Sequence, residues 1–268
     1  MKSAKFASHG RQSFWFSGAI ALVCVSLLST LQVSRLESFR QERRAPTLEK
    51  IQEEDASTKL QLEILKQLPA LGFNNLIADW ILLDFIQYFG DTPSRQQTGF
   101  DLSPDFFDAL LTKDPYFRDA YFFLSSSTSL YAGLPERTVE LIEREIEHLS
   151  PTVPEKAAYI WRYKGIDELL FLGDSTSARE SFEKATEWAS VYDDEEGQSL
   201  ETVSRQMTAF LANDPNSRAA QVSAWVMVFY NAFDSETKQL AVQRIRNLGA
   251  DVAIDENGIL QVNLMPEQ

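Results

Sequence analysis

Two kinds of helix boundary recur along this chain, and their spacing limits how it can fold more than any other feature. An aromatic residue stands two positions before a glycine at 88–90, 131–133 and 171–173, at steps of 43 and 40 residues. A second boundary, Leu-x-x-Asp-Pro-x-x-Arg-x-Ala, occurs at residues 111–120 and again at 211–220. Between the boundaries, apolar residues recur at helical spacing. Two alternating turn types at a period near forty therefore predict stacked helical hairpins.

Residues 155–190 contain the most regular unit, a helix, a Gly-Asp turn and a second helix with small residues at regular steps. Six of its residues resemble the pattern of the tetratricopeptide repeat superfamily: Trp161, Gly165, Gly173, Ala178, Phe182 and Ala185. One extra residue lies between the tryptophan and the turn glycine, and the resemblance is degenerate elsewhere in residues 104–248. It implies an all-α, right-handed solenoid of helical hairpins, in which the small residues let helices approach closely.

Residues 73–91, FNNLIADWILLDFIQYFGD, are also similar to the first hairpin of membrane-anchored, repeat-containing bacterial proteins, including cyanobacterial ones. That resemblance implies no activity.

Residues 14–33 contain no charged side chain and are long enough to cross a bilayer as one helix. We therefore predict a basic tail at residues 1–12 and a transmembrane signal anchor at 13–34. A charged stalk at 35–56 and a tetratricopeptide-like repeat domain at 57–248 follow. In residues 249–268 the alternating pattern around Asn257-Gly258 predicts a small β-hairpin cap with a type I′ turn, followed by a tail.

The charge distribution limits the partners of this protein. The chain has a net charge of −14, and its first 34 residues contribute three basic residues and no acidic ones, which leaves −17 for the rest. Such an acidic body repels nucleic acid and favours a basic partner segment. Four arginines follow the apolar segment, so positive charge does not decide its orientation. The long trailing body favours an extracytoplasmic location, periplasm or lumen, and a cytoplasmic location stays open.

Carboxylates are the side chains that could support catalysis. A helical, metal-dependent enzyme would bring four of them into one pocket: Asp79, Asp84, Asp167 and Glu168. The sequence supplies no oriented nucleophile beside them, and no metal-ligand spacing or phosphate loop. We therefore predict no catalytic, cofactor-binding or metal-binding residues, and we expect these acids to face solvent or cap hairpin junctions, with Asp79 paired to Arg118.

Aromatic residues crowd the helix predicted at 117–132, more of them than one buried stripe can hold. They suggest a groove that docks a partner helix or an extended peptide, lined by Phe117, Tyr121, Phe122 and Tyr131. The sequence thus favours a non-catalytic, membrane-tethered scaffold for protein–protein interaction that helps assemble a membrane or envelope complex. A structural subunit of a larger membrane complex is the alternative, and it predicts a broad apolar patch across several helices.

Overall fold

The computed structural model describes Ser29, residues 47–232, 235–254 and 259–264, without the Glu236 side chain. The described chain is mostly helical and ends in a small antiparallel sheet, which confirms the fold class at that level. The predicted anchor, apart from Ser29, and the Asn257-Gly258 turn lie outside the described residues. Contacts divide the chain into Met1–Gln52 and Glu53–Gln268, and the core, pockets and contacts discussed below belong to the second unit.

The helices follow one another with short connections. They are α1 (Leu48–Gln67), α2 (Asn74–Gly90), α3 (Thr92–Thr98), α4 (Ser103–Lys113), α5 (Arg118–Leu124), α6 (Pro135–Ile146), α7 (Ala158–Asp167), α8 (Ser175–Ala189), α9 (Glu195–Asn213), α10 (Arg218–Asn231) and α11 (Ser235–Asn247). Two π-helical segments extend α5 and α7, at Ser125–Tyr131 and Glu168–Leu172. Strands β1 (Ala250–Ile254) and β2 (Leu260–Leu264) pair from Ala250↔Leu264 to Ile254↔Leu260.

Helices close in sequence pack against each other: α2 against α4, α7 against α8, α8 against α9, and α10 against α11. An aromatic cluster fills the first part of the core, where the Phe85 and Phe107 ring centroids are 4.6 Å apart. Trp225, Ile245 and Val252 form a last cluster that joins α10, α11 and β1, so the sheet covers the end of the helical array.

Two features near the start of the helical region were not predicted from the sequence. Helix α1 begins at Leu48, two residues after Pro46, and runs without interruption past residue 56, the end of the predicted stalk. Acidic and basic residues in 48–56 suggested a stalk, but charged side chains are compatible with an exposed helix. The short helix α3 was not predicted; Pro93 lies in its first turn, where its missing N–H costs nothing.

Gly165 lies where α7 crosses α8 most closely. A Cβ added there would meet the Phe182 ring at 3.1 Å and the Ala178 carbonyl oxygen at 3.3 Å. Phe182 and Ala178 are both fully buried, so neither can move toward solvent to make room.

We expect Gly165→Val to lower the free energy of unfolding by about 2 kcal/mol, because the extra atoms overpack this crossing. Gly90→Val is the matched control, since a Cβ at Gly90 would meet nothing within 4 Å. Urea denaturation of both variants measures the difference. Equal losses at the two positions would mean that the α7–α8 crossing tolerates a side chain.

Candidate functional site

Two π-helical segments occupy equivalent places, each at the end of the first helix of a hairpin. Both are followed by a glycine in the left-handed region, Gly133 at φ 69° and Gly173 at φ 68°. After the second glycine, Asp174 caps α8 by accepting hydrogen bonds from the Thr176 and Ser177 backbone amides. π-Helical turns are uncommon and are often found at functional sites. The side chains of these two segments are therefore candidates for a functional site.

A small pocket opens between these two segments and α10. Its volume is about 40 Å³, enough for a few water molecules or part of one side chain. The lining is mostly apolar and contains no charged side chain: Phe122, Ser125, Ser126, Leu130, Tyr131, Tyr163, Ile166, Phe171, Met227, Val228, Asn231, Ala232 and Thr237. We call it the hairpin pocket. Its lining suits an apolar group, and its size admits the end of one apolar side chain of a bound partner.

Tyr131 forms one wall of the hairpin pocket and is held from two sides. Its hydroxyl oxygen lies 2.5 Å from the hydroxyl oxygen of Thr237 on α11, 106 residues away. Its ring packs edge-on against Phe89 and Phe100, with centroids 5.0 and 5.2 Å away. Phe89 stands between Tyr88 and Gly90 of the first aromatic–glycine boundary, and Tyr131 is the aromatic residue of the second, so the two boundaries are in contact. The wall is therefore fixed in place before any partner binds.

Two polar groups of α7 lie near the hairpin pocket. Burial raises the pKa of Tyr163 to about 12, so its hydroxyl stays neutral. Arg162 donates to the Met227 sulfur at 3.3 Å, and its Nε has no hydrogen-bond partner among the described residues. Burial lowers the pKa of this guanidinium. A guanidinium in such surroundings gains from any added oxygen acceptor, such as a peptide carbonyl.

Asp167 is fully buried at the junction of α7 and the second π-helical segment. Neither carboxyl oxygen has a hydrogen-bond partner with good geometry among the described residues. The pKa of Asp167 is raised to about 7, chiefly by burial; the nearby hydroxyls of Ser125 and Ser129 lower it, and the charge of Glu168 contributes a smaller increase. Close to neutral pH, this carboxyl is therefore partly protonated inside the core.

Glu168, the next residue, is buried but paired. It forms an ion pair with Lys164 one turn earlier, and it accepts a hydrogen bond of 2.6 Å from the Ser181 hydroxyl on α8. Lys164 also reaches Glu143 on α6 at 3.1 Å. Burial raises the pKa of Glu168, although Lys164 and Ser181 act in the opposite direction. This network joins three helices and stabilises α7, which forms part of the wall of the hairpin pocket.

The residues predicted for a partner groove do not form one surface. Phe122 and Tyr131 line the hairpin pocket. Phe117 lines a different, polar hollow of about 410 Å³ near Asp79 and Arg118. Tyr121 is fully buried and donates its hydroxyl to the Pro115 carbonyl oxygen at 2.7 Å. The aromatic residues of 117–131 were too close together in the sequence to be assigned to separate faces.

The residues predicted for repeat packing lie together around the α7–α8 hairpin. Ala178, Phe182 and Ala185 are fully buried on α8. Trp161 packs edge-on against Trp188, with ring centroids 5.9 Å apart. Gly173, described above, ends the first helix.

The four carboxylates of the enzyme alternative do not come together. In the part of the chain that the structure describes, no three His, Cys, Asp or Glu residues are close enough to hold a metal ion. Asp79 is exposed, and Arg118 pairs with Asp119 instead of Asp79. Asp167 and Glu168 do not face solvent, because both side chains are buried in the core.

A second surface stands out on the first two helices. Nine large apolar side chains between residues 60 and 86 are exposed, and we call them the α1–α2 apolar face: Leu60, Ile64, Leu68, Leu71, Phe73, Leu76, Trp80, Leu83 and Ile86. Single exposed apolar residues are ordinary, whereas a run of this size marks an interaction surface. Among the described residues, no helix is both long and apolar enough to span a membrane.

The chain matches no protein-family model, no curated protein and no solved structure. The site is therefore interpreted from its geometry.

Proposed function

We propose that this protein is a non-catalytic interaction scaffold, tethered to a membrane by residues 14–33. Its body is a tetratricopeptide-like stack of hairpins that binds a partner segment at the hairpin pocket. The observation that carries the proposal is the pocket itself, which is uncharged, largely apolar and large enough to admit part of one side chain. Scaffold proteins of helical hairpins recognise extended or helical segments by anchoring a few side chains in this way.

The partner that fits is a peptide segment with an apolar anchor residue. The anchor would fill the space between Phe122, Tyr163 and Met227, and a carbonyl oxygen of its backbone would accept from Arg162. The net charge of −17 outside the first 34 residues favours basic residues on either side of the anchor. The tether would raise the local concentration of the scaffold around partners in the same membrane.

A photo-crosslinking experiment on the full-length chain tests this site. A photoreactive phenylalanine analogue replaces Phe122 in the pocket or Val191, an exposed apolar residue between α8 and α9, as the matched control. We expect a discrete crosslinked product from position 122 that position 191 does not form. The added substitution Ser126→Phe fills the pocket and should abolish that product. A product that forms equally at both positions, or that survives Ser126→Phe, contradicts binding in the hairpin pocket.

The second candidate, a structural subunit of a larger membrane complex, is favoured by the α1–α2 apolar face. It predicts that the chain migrates in native membranes as a stoichiometric complex. Native gel electrophoresis after mild detergent extraction distinguishes this from a scaffold that binds its partner transiently.

A further inference from the structure

The α1–α2 apolar face runs along both helices and the turn between them, and it is interrupted by the exposed polar residues Asn74, Asn75 and Asp79. Ile64 ends the stripe on α1, Leu68, Leu71 and Phe73 lie in the connection, and Leu76 begins the stripe on α2. On α2 the exposed apolar residues then recur at steps of three or four, which places them on one side of the helix. We propose that this hairpin tip inserts into the headgroup and acyl boundary of a lipid bilayer.

The backbone of the turn supports a functional role for its side chains. Leu71 has a φ of 49°, in the left-handed region, and its side chain is 86% exposed. Leucine is strained in this conformation, which glycine or asparagine adopts easily. An exposed leucine there contributes nothing to the core, so the strained conformation favours a role for the side chain outside the protein.

Charge and shape favour lipid over protein as the occupant of this face. A second copy would carry the same strongly negative body, and two such bodies repel each other. Helix α2 contains no Lys or Arg, so it does not select anionic headgroups, and a bilayer of neutral lipids has no net charge to oppose it. A protein partner would also have to match the shape of a projecting turn, whereas fluid lipid adapts to it.

Insertion of the hairpin tip rests on the membrane tether of the proposed function. The segment between the predicted span and α1 is long enough to allow it. Residues 34–47 connect the predicted span to α1. Fully extended, they cover roughly 45 Å. Helix α1, at 20 residues, is about 30 Å long. The connection can therefore span the whole length of α1 and bring the far end of that helix back to the membrane surface.

Depth-dependent fluorescence quenching tests the insertion. The full-length chain carries Cys24→Ser, which removes its single cysteine, and then one new cysteine at Leu71→Cys, at Leu76→Cys or, as control, at Val191→Cys. All three positions are exposed, so none of the labels disturbs the core. The cysteine is labelled with a polarity-sensitive dye, and the protein is reconstituted into phosphatidylcholine vesicles that contain lipids with nitroxide-labelled acyl chains.

We expect the nitroxide lipids to reduce emission from positions 71 and 76 roughly by half and to leave position 191 nearly unchanged, because only the tip reaches the acyl boundary. Quenching at position 71 no greater than at position 191 would overturn the proposal. So would protection of position 71 from aqueous iodide without lipid quenching, because a second copy would then cover the face. Extraction of the chain by alkaline carbonate tests the membrane tether separately. The quenching result tests insertion of the hairpin tip, whatever the extraction shows.

Discussion

Replacing Asp167 with Asn is expected to stabilise the protein by about 4 kcal/mol at about pH 8. In the folded protein, burial raises the pKa of this carboxyl to about 7. In the unfolded chain an aspartate titrates near 3.9. The folded state therefore binds the proton more tightly, so stability falls as the pH rises from about 4 to about 7 and stays low above that. The asparagine side chain has no charge to bury, so the stability of the variant does not fall in this way as the pH rises.

The pH dependence separates this effect from a general change in packing. The advantage of Asp167→Asn should grow by about 2 kcal/mol between about pH 5.5 and pH 8. Urea denaturation at the two pH values, followed by circular dichroism, measures it. Asp193→Asn is the matched control, because it removes the same charge from an exposed position between α8 and α9. If the difference between wild type and Asp167→Asn is the same at both pH values, Asp167 is not a titrating group of the core.

Replacing Lys164 with Met is expected to destabilise the protein by about 3 kcal/mol, because it leaves the buried Glu168 carboxylate without its cation. Glu168 would keep only the hydrogen bond from Ser181. The converse change, Glu168→Leu, should cost less, since Lys164 retains Glu143 at 3.1 Å. The double variant Lys164→Met/Glu168→Leu should recover most of the loss, because apolar side chains replace both charges.

An exposed ion pair provides the control for this series. Lys184 and Glu187 are 2.8 Å apart on α8, and both are largely exposed. Lys184→Met should change stability by less than about 1 kcal/mol, since solvent screens such pairs. Chemical denaturation of the four variants gives the comparison. If the double variant is less stable than either single variant, the two side chains have roles beyond their mutual charge.

Both predictions concern buried charged residues that are close to the lining of the hairpin pocket. Ile166 lines the pocket, and the next two residues of the same helix carry the buried acids. Ser125 also lines the pocket and lies beside the Asp167 carboxyl. Substitutions that alter the buried polar groups therefore act on the pocket walls. Partner binding should be measured in the same variants as stability.

Sequence reasoning missed the π-helical segments, and the reason is physical. The run Ser125–Ser129 contains only Ser and Thr, which form helices weakly and compete for backbone hydrogen bonds. That composition indicates a weak point in the helix, but it does not indicate how hydrogen bonding is rearranged there.

The sequence contains one indication of the Lys164–Glu168 network. The two residues are four positions apart, the spacing at which opposite charges meet on a helix. The spacing alone cannot distinguish an exposed pair from a buried one. Burial depends on α6 and α8 covering this face of α7, and that information comes from contacts between distant parts of the chain.

The sequence by itself determined the features that depend on local chemistry. Helical periodicity, proline and glycine at the boundaries, and alternation in β1 and β2 act over a few residues, and they established a helical chain with a terminal two-stranded sheet. Only the tertiary structure decided which side chains share a pocket, which acids are buried and which apolar face stays uncovered. Those properties depend on the packing of helices far apart in sequence, such as the contact between Tyr131 and Thr237, and local patterns contain no information about it.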